Sequence, residues 1–207
     1  VIDLLVAAGL LLLLSPMLLI VALLVKLTSP GPVFFVQERG GWHGENFRAY
    51  KFRSMRGGRK PDPKELVPLD HPEITAVGKF IRRTKIDELP QLINVLKGEM
   101  AIIGPRPTLP DQVAAYDDFK RQRLLVRPGC TGLAQVNGAT AISWDERIKY
   151  DVHYAYHCSP RLDLHILLKT VLVVLRGEAP YARPFKDSPY AKPGDADQSV
   201  QSETETG

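Results

Sequence analysis

Cysteine is scarce in this 207-residue chain: Cys130 and Cys158 stand far apart with no CxxC spacing, so neither a zinc site nor a disulfide framework is written into it. That usage suits a reducing compartment. The five histidines form no HExxH or other tight ligand set, which leaves zinc-assisted hydrolysis unsupported. No serine sits in a nucleophile elbow, and Gly78-Lys79 lacks the neighbouring glycine and the Ser or Thr of a phosphate-binding P-loop. Serine acyl transfer and ordinary nucleotide hydrolysis thus lose their usual signatures. No internal repeat is present.

Charge is missing from one place only. Almost every residue from Leu4 to Val25 is apolar, whereas the rest reads like a soluble protein. The length and composition fit one globular unit carrying one apolar helix of roughly 20 residues, about enough to cross a bilayer core. A signal peptide fits poorly, because the run is too long and no small-residue cleavage site precedes the Thr28-Ser29-Pro30-Gly31-Pro32 turn. Ser15-Pro16 interrupts the run, and proline removes a backbone donor, so a bend is expected there. Two topologies remain open: a kinked span, or a helix that re-emerges on the side it entered. The chain opens on Val1 rather than Met, so an earlier flank is expected to be missing from it.

The net charge of +4 comes from basic clusters at Lys51 to Lys60, Lys79 to Lys85 and Lys120 to Arg127, all after the apolar run. Such placement suits a cytoplasmic domain and anionic partners. Val33 to Gln37 and Asn46 to Phe52 read as strands around Gly40-Gly41, followed by a polar loop from Arg56 to Pro72, a candidate lid. Helices are expected over Ile74 to Arg83, Asp87 to Lys97, Asp111 to Val126, Ser143 to His157 (opened by a capping box) and Leu162 to Leu175. The class is α+β, predominantly helical, with residues 1–27 as the membrane helix, 28–185 as the catalytic domain and 186–207 as a polar, disordered tail.

Asp87-Glu88-Leu89-Pro90 is the most informative local signal. Paired acids at a helix start most often only cap free N–H groups. The same position also holds a carboxylate ionised and ready to attack phosphorus or bind a divalent metal. Arg82, Arg83 and Lys85 precede the pair, Lys51 and Arg53 end a strand, Arg106 stands between prolines, and Arg127 precedes Pro128-Gly129. Singly these are surface charges; with two carboxylates they form the inventory of phosphoryl transfer.

In order along the chain come Ser15-Pro16, Ser29-Pro30-Gly31-Pro32-Val33-Phe34-Phe35, Tyr50-Lys51-Phe52-Arg53-Ser54-Met55 and Asp87-Glu88-Leu89-Pro90-Gln91-Leu92. Gly104-Pro105-Arg106-Pro107, Arg127-Pro128-Gly129-Cys130-Thr131-Gly132 and Tyr150-Asp151 follow. This ordered set, covering the chain to about Arg176, resembles the monotopic phosphoglycosyl transferases, or bacterial sugar transferases, including the small bacillosamine-phosphate-transferase-like members. The resemblance implies a re-entrant helix broken at Ser15 and Pro16, on the cytoplasmic face of a bacterial inner membrane. It implies transfer of a sugar-1-phosphate from a UDP-sugar to undecaprenyl phosphate through a covalent intermediate on Asp87, with Glu88 as partner acid and Mg2+ held by Asp87. Lys51, Arg53, Arg82, Arg106, Arg127 and Asp151 are its candidate substrate contacts. Membrane lipids and downstream glycosyltransferases are the implied partners, and nucleic acid is not. One departure stands out: after Gln135-Val136-Asn137-Gly138 many members carry Arg-Asn, but this chain has Ala139-Thr140. A bacillosamine-type donor is therefore not assumed, and galactose or glucose is equally open. The competing reading is a single-span protein whose basic module binds anionic lipid or nucleic acid, which assigns no reason to Asp87-Glu88 or Arg106.

Overall fold

The computed structural model describes residues 2–56 and 67–191, so most of the candidate lid falls outside the described residues. The chain begins with α1 (Ile2–Thr28), roughly 40 Å long at 1.5 Å per residue and apolar enough to cross a bilayer. The expected break into two helices at Ser15-Pro16 is not found; α1 runs through it as one element. A helical N–H at position 16 would have bonded the Leu12 carbonyl, and proline has none to offer. The Ser15 hydroxyl replaces it, with Oγ donating to Leu12 O at 2.8 Å, so the freed carbonyl is satisfied.

One face of α1 is packed along its length. Near its start Ala7 is buried among Phe47, Leu92, Val95 and Met100, and Asp3 accepts the Ile102 N–H at 3.4 Å. Near its end Val21 and Val25 are buried with Phe52 and Ile81. Both ends of the helix therefore touch the folded domain, while Leu12, Leu13, Leu19 and Ile20 face outward.

An antiparallel hairpin follows, β1 (Phe34–Gly40) with β2 (Asn46–Phe52), in a register that sets Phe34 opposite Phe52 and Gly40 opposite Asn46. The strand β1 is three residues longer at its end than its sequence pattern suggested. Thr75 caps α2 (Ala76–Arg83) by accepting the Gly78 N–H at 2.8 Å. The helix expected from Asp87 to Lys97 is instead a 3-10 turn, Ile86–Gln91, leading into α3 (Leu92–Leu96). Lys85 enters the turn in the left-handed region (φ 59) and Pro90 brings no N–H, so an α-helical ladder does not form across it. Asn94, fully buried, anchors α3 to β2 by accepting from Tyr50 N and donating to Arg48 O and Glu99.

A second sheet, unexpected from the sequence, joins β3 (Ala101–Ile103) in parallel to β4 (Gly129–Thr131). Three-residue strands carry too few positions for an alternation to register. The long helix expected over Asp111 to Val126 is divided into α4 (Pro110–Ala114), α5 (Asp118–Arg121) and a 3-10 turn, because Asp117 accepts the Lys120 N–H and starts a new helix. The short α6 (Leu133–Val136) precedes α7 (Trp144–His157), capped as expected by Ser143, and α8 (Pro160–Arg176). Tyr150, Tyr154 and Ile166 from the last two helices form a core with Leu133 and Val136. Outward, α8 exposes Leu164, Leu168, Val171 and Leu175. Residues 186–191, assigned to the tail by composition, are folded: Ser188 is buried, and Tyr190 and Ala191 pack on that core.

The architecture is α+β and mostly helical. Among the described glycines the closest approach is where α2 meets the chain just after β2: a Cβ added at Gly78 would lie 1.9 Å from Ser54 O. Gly78→Ala is expected to lower stability by about 2–3 kcal/mol. A thermal melt unchanged from wild type would show that α2 does not pack this closely.

Candidate functional site

Three elements converge on the acidic pair. The hairpin brings Lys51 from β2, the 3-10 turn brings Asp87 and Glu88, and the turn after β3 brings Arg106. Glu88 is locked between two cations. Its Oε1 accepts from Lys51 Nζ at 2.6 Å and from Arg106 Nη2 at 2.5 Å, and its Oε2 accepts from Arg106 Nη1 at 2.9 Å. The arginine fork is bidentate, the strongest form of this pairing. Burial pushes the Glu88 carboxyl up, but the charges and hydrogen bonds of Arg106 and Lys51 outweigh it and hold the group well below the ordinary value. Burial lowers Lys51, although Glu88 opposes the change.

Asp87 is treated in the opposite way. Among the described residues no hydrogen bond or ion pair holds its carboxylate. Its pKa is pushed up to about 6, first by burial and second by Glu88, against the fields of Lys51, Arg82 and Lys85. Two adjacent acids thus occupy contrasting states: one immobilised and ionised, the other uncommitted and titrating near neutrality. Such a divergence is how neighbouring carboxylates divide roles in catalysis.

The remaining sequence candidates are distributed unevenly. Arg82 faces Asp87 electrostatically, while its Nε donates to Ser54 Oγ at 2.8 Å. Arg53 is buried and turned away from the pair; it donates to Pro30 O at 2.8 Å and Ser29 O at 2.7 Å, gripping the turn that leaves α1. Asp151 is buried as well, paired with Arg123 at 2.5 Å. Arg123 in turn donates to Arg106 O at 2.8 Å and to Tyr116, so Asp151 touches the site through the backbone of Arg106. Arg127 stacks over the Trp42 ring at 4.8 Å and lines a separate open cleft of about 500 Å³ with Asp3, Tyr154 and Asp163. Ser15 and Pro16 lie in α1, remote in sequence from the acids.

Three residues went unnoticed in the sequence. Arg39 feels both Arg106 and Glu88, and burial with the Arg106 charge pushes its pKa down to about 10. Its Nη2 donates to Gln37 Oε1 at 2.6 Å, and it lines a small void with Lys51 and Arg106. Alternation along β1 sets Gln37 and Arg39 on the same face as Lys51, but ending the strand at Gln37 hid the arginine. Arg123 looked like one more surface charge in a basic helix. Glu178, beyond every motif, pairs with Lys85 at 2.9 Å.

Among the described residues no group of three or more His, Cys, Asp or Glu gathers as a metal cage. A hard divalent ion bound by one or two carboxylates together with substrate phosphates needs no such cage. The uncommitted Asp87 carboxylate fits that donor set, since a cation there offsets the Glu88 repulsion that raises it.

A bacterial sugar transferase family model matches residues 1–177. The chain is 45% identical over 176 residues to the uncharacterized sugar transferase EpsL of Bacillus subtilis, covering 85% of this chain and 86% of that protein. It is 44% identical over 181 residues to the UDP-N-acetylgalactosamine-undecaprenyl-phosphate N-acetylgalactosaminephosphotransferase of Aeromonas hydrophila, covering 84% of this chain but 43% of the relative. With the UDP-glucose:undecaprenyl-phosphate glucose-1-phosphate transferase of Escherichia coli the identity is 40% over 191 residues, 86% of this chain and 40% of the other. The chain therefore spans nearly all of one relative and less than half of the other two.

The raised Asp87 value has a thermodynamic consequence. A carboxyl that binds its proton more tightly when folded contributes stability that is full below the unfolded value and lost as pH rises through about 6. In the presence of a chelator, Asp87→Asn is expected to be more stable than wild type at pH 8 by about 1–2 kcal/mol, after allowance for partial exposure. The gap should close by pH 4. A variant equally or less stable at pH 8 would show that the site does not penalise the charged carboxylate.

Proposed function

Because the chain belongs to the bacterial sugar transferase family, we propose that it moves a sugar-1-phosphate from a UDP-sugar onto undecaprenyl phosphate, through a phosphosugar carried by Asp87. Two relatives bear names for this type of transfer, with N-acetylgalactosamine and glucose as their sugars. The observation that carries the reading is the contrast within the dyad: Glu88 is fixed by Lys51 and Arg106, and Asp87 has no hydrogen-bond or ion-pair partner among the described residues.

In the first step an Asp87 oxygen attacks the phosphorus that bears the sugar, the bond to the bridging oxygen breaks, and uridine monophosphate leaves with that electron pair. An acyl phosphate remains. In the second step a phosphate oxygen of the polyprenyl acceptor attacks the same phosphorus, and Asp87 departs as a carboxylate. Asp87 would hold a Mg2+ ion, which when bound would supply charge neutralisation for the phosphate groups. Glu88 does not react; it fixes the Arg106 guanidinium, whose side chain remains 48% exposed, at the edge of the site. Lys51, Arg82 and Lys85 set the field that keeps Asp87 ionised often enough to attack.

The acceptor's tail stays in the bilayer, so the nucleophile must work at the interface. The monotopic reading is supported by α1 lying against the domain near both ends, since a helix leaving the domain to cross the bilayer would have one end far from it; α1 is continuous through Ser15-Pro16, so the re-entrant turn draws no support from it. The apolar outer faces of α1 and α8 then lie in lipid on the cytoplasmic side of the inner membrane. Downstream glycosyltransferases would consume the product. The alternative of a basic binding module is weakened because the site cations Lys51 and Arg106 converge on Glu88 rather than forming an open patch.

The test is purified protein in lipid nanodiscs with Mg2+, undecaprenyl phosphate and a panel of UDP-sugars. Wild type should transfer radiolabel to lipid and, without acceptor, exchange labelled UMP into the donor. Asp87→Asn should lose both by about 10³-fold or more, and the wild-type rate should fall as pH drops through about 6. Exchange that strictly requires the acceptor would rule out the covalent intermediate, and full activity in the Asn variant would rule out Asp87.

A further inference from the structure

The family match ends at Gly177, and the chain then turns back across the domain. Beyond it lie Glu178, a 3-10 turn (Ala179–Tyr181) and residues up to 191, seated by specific contacts. The Arg183 N–H donates to Asn137 O at 3.2 Å, and the Tyr150 hydroxyl donates to Arg183 O at 2.9 Å. Phe185 is buried edge-on against Tyr150, and its N–H donates to the Glu146 carboxylate. Ala182 lies against Gly138, where an added Cβ would come within 2.7 Å of its Cα.

At the start of this strap, Glu178 spends each oxygen on a different partner. Its Oε1 accepts from Lys85 Nζ at 2.9 Å, and its Oε2 accepts from Thr140 Oγ1 at 2.6 Å and Thr140 N at 3.2 Å. Lys85 is the left-handed residue that opens the Asp87 turn. Thr140 follows Ala139, a non-glycine residue at φ 41, directly after Gly138 at φ 122. Such backbone is uncommon and persists where surrounding contacts hold it. One carboxylate therefore ties a strained turn to the turn bearing the nucleophile. Its charge also reaches Arg106. With three donors on two oxygens, Glu178 has little left for a ligand, which makes its effect indirect.

We propose that the strap is part of the donor site and that Glu178 is a positioning residue, holding the Gly138–Ala141 turn against Lys85 as the wall beside the sugar end of the nucleotide-sugar. The placement follows from the contacts: Glu178 pairs with Lys85, whose charge acts on Asp87, and the Glu178 charge reaches Arg106, so what is tied to Lys85 borders the carboxylate that attacks the sugar-bearing phosphorus. This inference rests on the transferase reading. The strap lies beyond the family match, which ends at Gly177, and borders the turn of Ala139-Thr140.

The experiment combines two readouts on the full chain, comparing wild type with Glu178→Gln, Thr140→Val and the double variant. Hydrogen exchange should rise at the Thr140 amide and over residues 84–88 in Glu178→Gln, with the melting temperature close to wild type. In kinetics, each single variant should raise KM for the preferred UDP-sugar on the order of tenfold and change the ratio of kcat/KM between two UDP-sugars. KM for undecaprenyl phosphate should stay unchanged, and the double variant should be no worse than the worse single one, because both break one bridge. Loosened exchange with unchanged donor kinetics would overturn the proposal. Equal losses for both donors and for the acceptor, with a fall in melting temperature, would reduce Glu178 to a structural contact and overturn it too. A wild type inactive with every UDP-sugar would instead remove the transferase reading, and this one with it.

Discussion

The ion triad of Lys51, Glu88 and Arg106 is the interaction on which the site depends. It joins the hairpin, the 3-10 turn and the turn after β3, which are remote in sequence, through a single carboxylate. Burying Glu88 is unfavourable alone, and only two cations with a bidentate fork make it tolerable. Once the triad is formed, the neighbouring carboxylate has no ion pair of its own among the described residues, only the more distant fields of Lys51, Arg82 and Lys85. Asp87 meets the burial and the repulsion with weaker compensation, and its raised pKa is the direct result. Reactivity at one residue follows from the satisfaction of the next.

Further layers hold the triad in place. Arg106 is fixed by its side chain to Glu88 and by its backbone to Arg123, whose charge is balanced by buried Asp151. Asn94 fixes α3, and so the end of the acidic turn, to the strand that carries Lys51. Arg53 connects that same strand to the end of α1 by taking up carbonyls of the Ser29-Pro30 turn. A helix C-terminus presents unsatisfied carbonyls and a partial negative charge, so a buried guanidinium is well matched to it. The apolar helix and the site are consequently continuous through these contacts, which is what the proposed reaction between an aqueous donor and a bilayer-bound acceptor would require.

Much of this was legible in the residues, and the parts that were not share a cause. The hairpin, α2, α7 and α8 follow from alternation, helical spacing and caps, which are local signals. The acidic pair and Arg106 stood out because prolines restrict their backbones. Arg53 and Asp151 looked like site charges because sequence distance says nothing about which side of a strand or helix faces a carboxylate. The short parallel pair β3 and β4 was hidden for the same reason: its hydrogen bonds depend on a partner more than 25 residues away. The serine at position 15 shows a finer case. Proline predicted an interruption, and the neighbouring hydroxyl bonded the one carbonyl that proline left free.

The uncommitted carboxylate also explains why the surroundings are so tightly braced. An aspartate forced toward neutrality costs stability whenever it is ionised, and a flexible site would relieve that cost by turning the side chain to water. Here the left-handed Lys85 and Pro90 bracket Asp87 within a six-residue 3-10 turn, and α3 beyond it is anchored by Asn94. This bracing holds the turn in place while the Asp87 carboxylate makes no hydrogen bond among the described residues. In the proposed reaction, phosphorus would take the place that no hydrogen-bond partner occupies among the described residues.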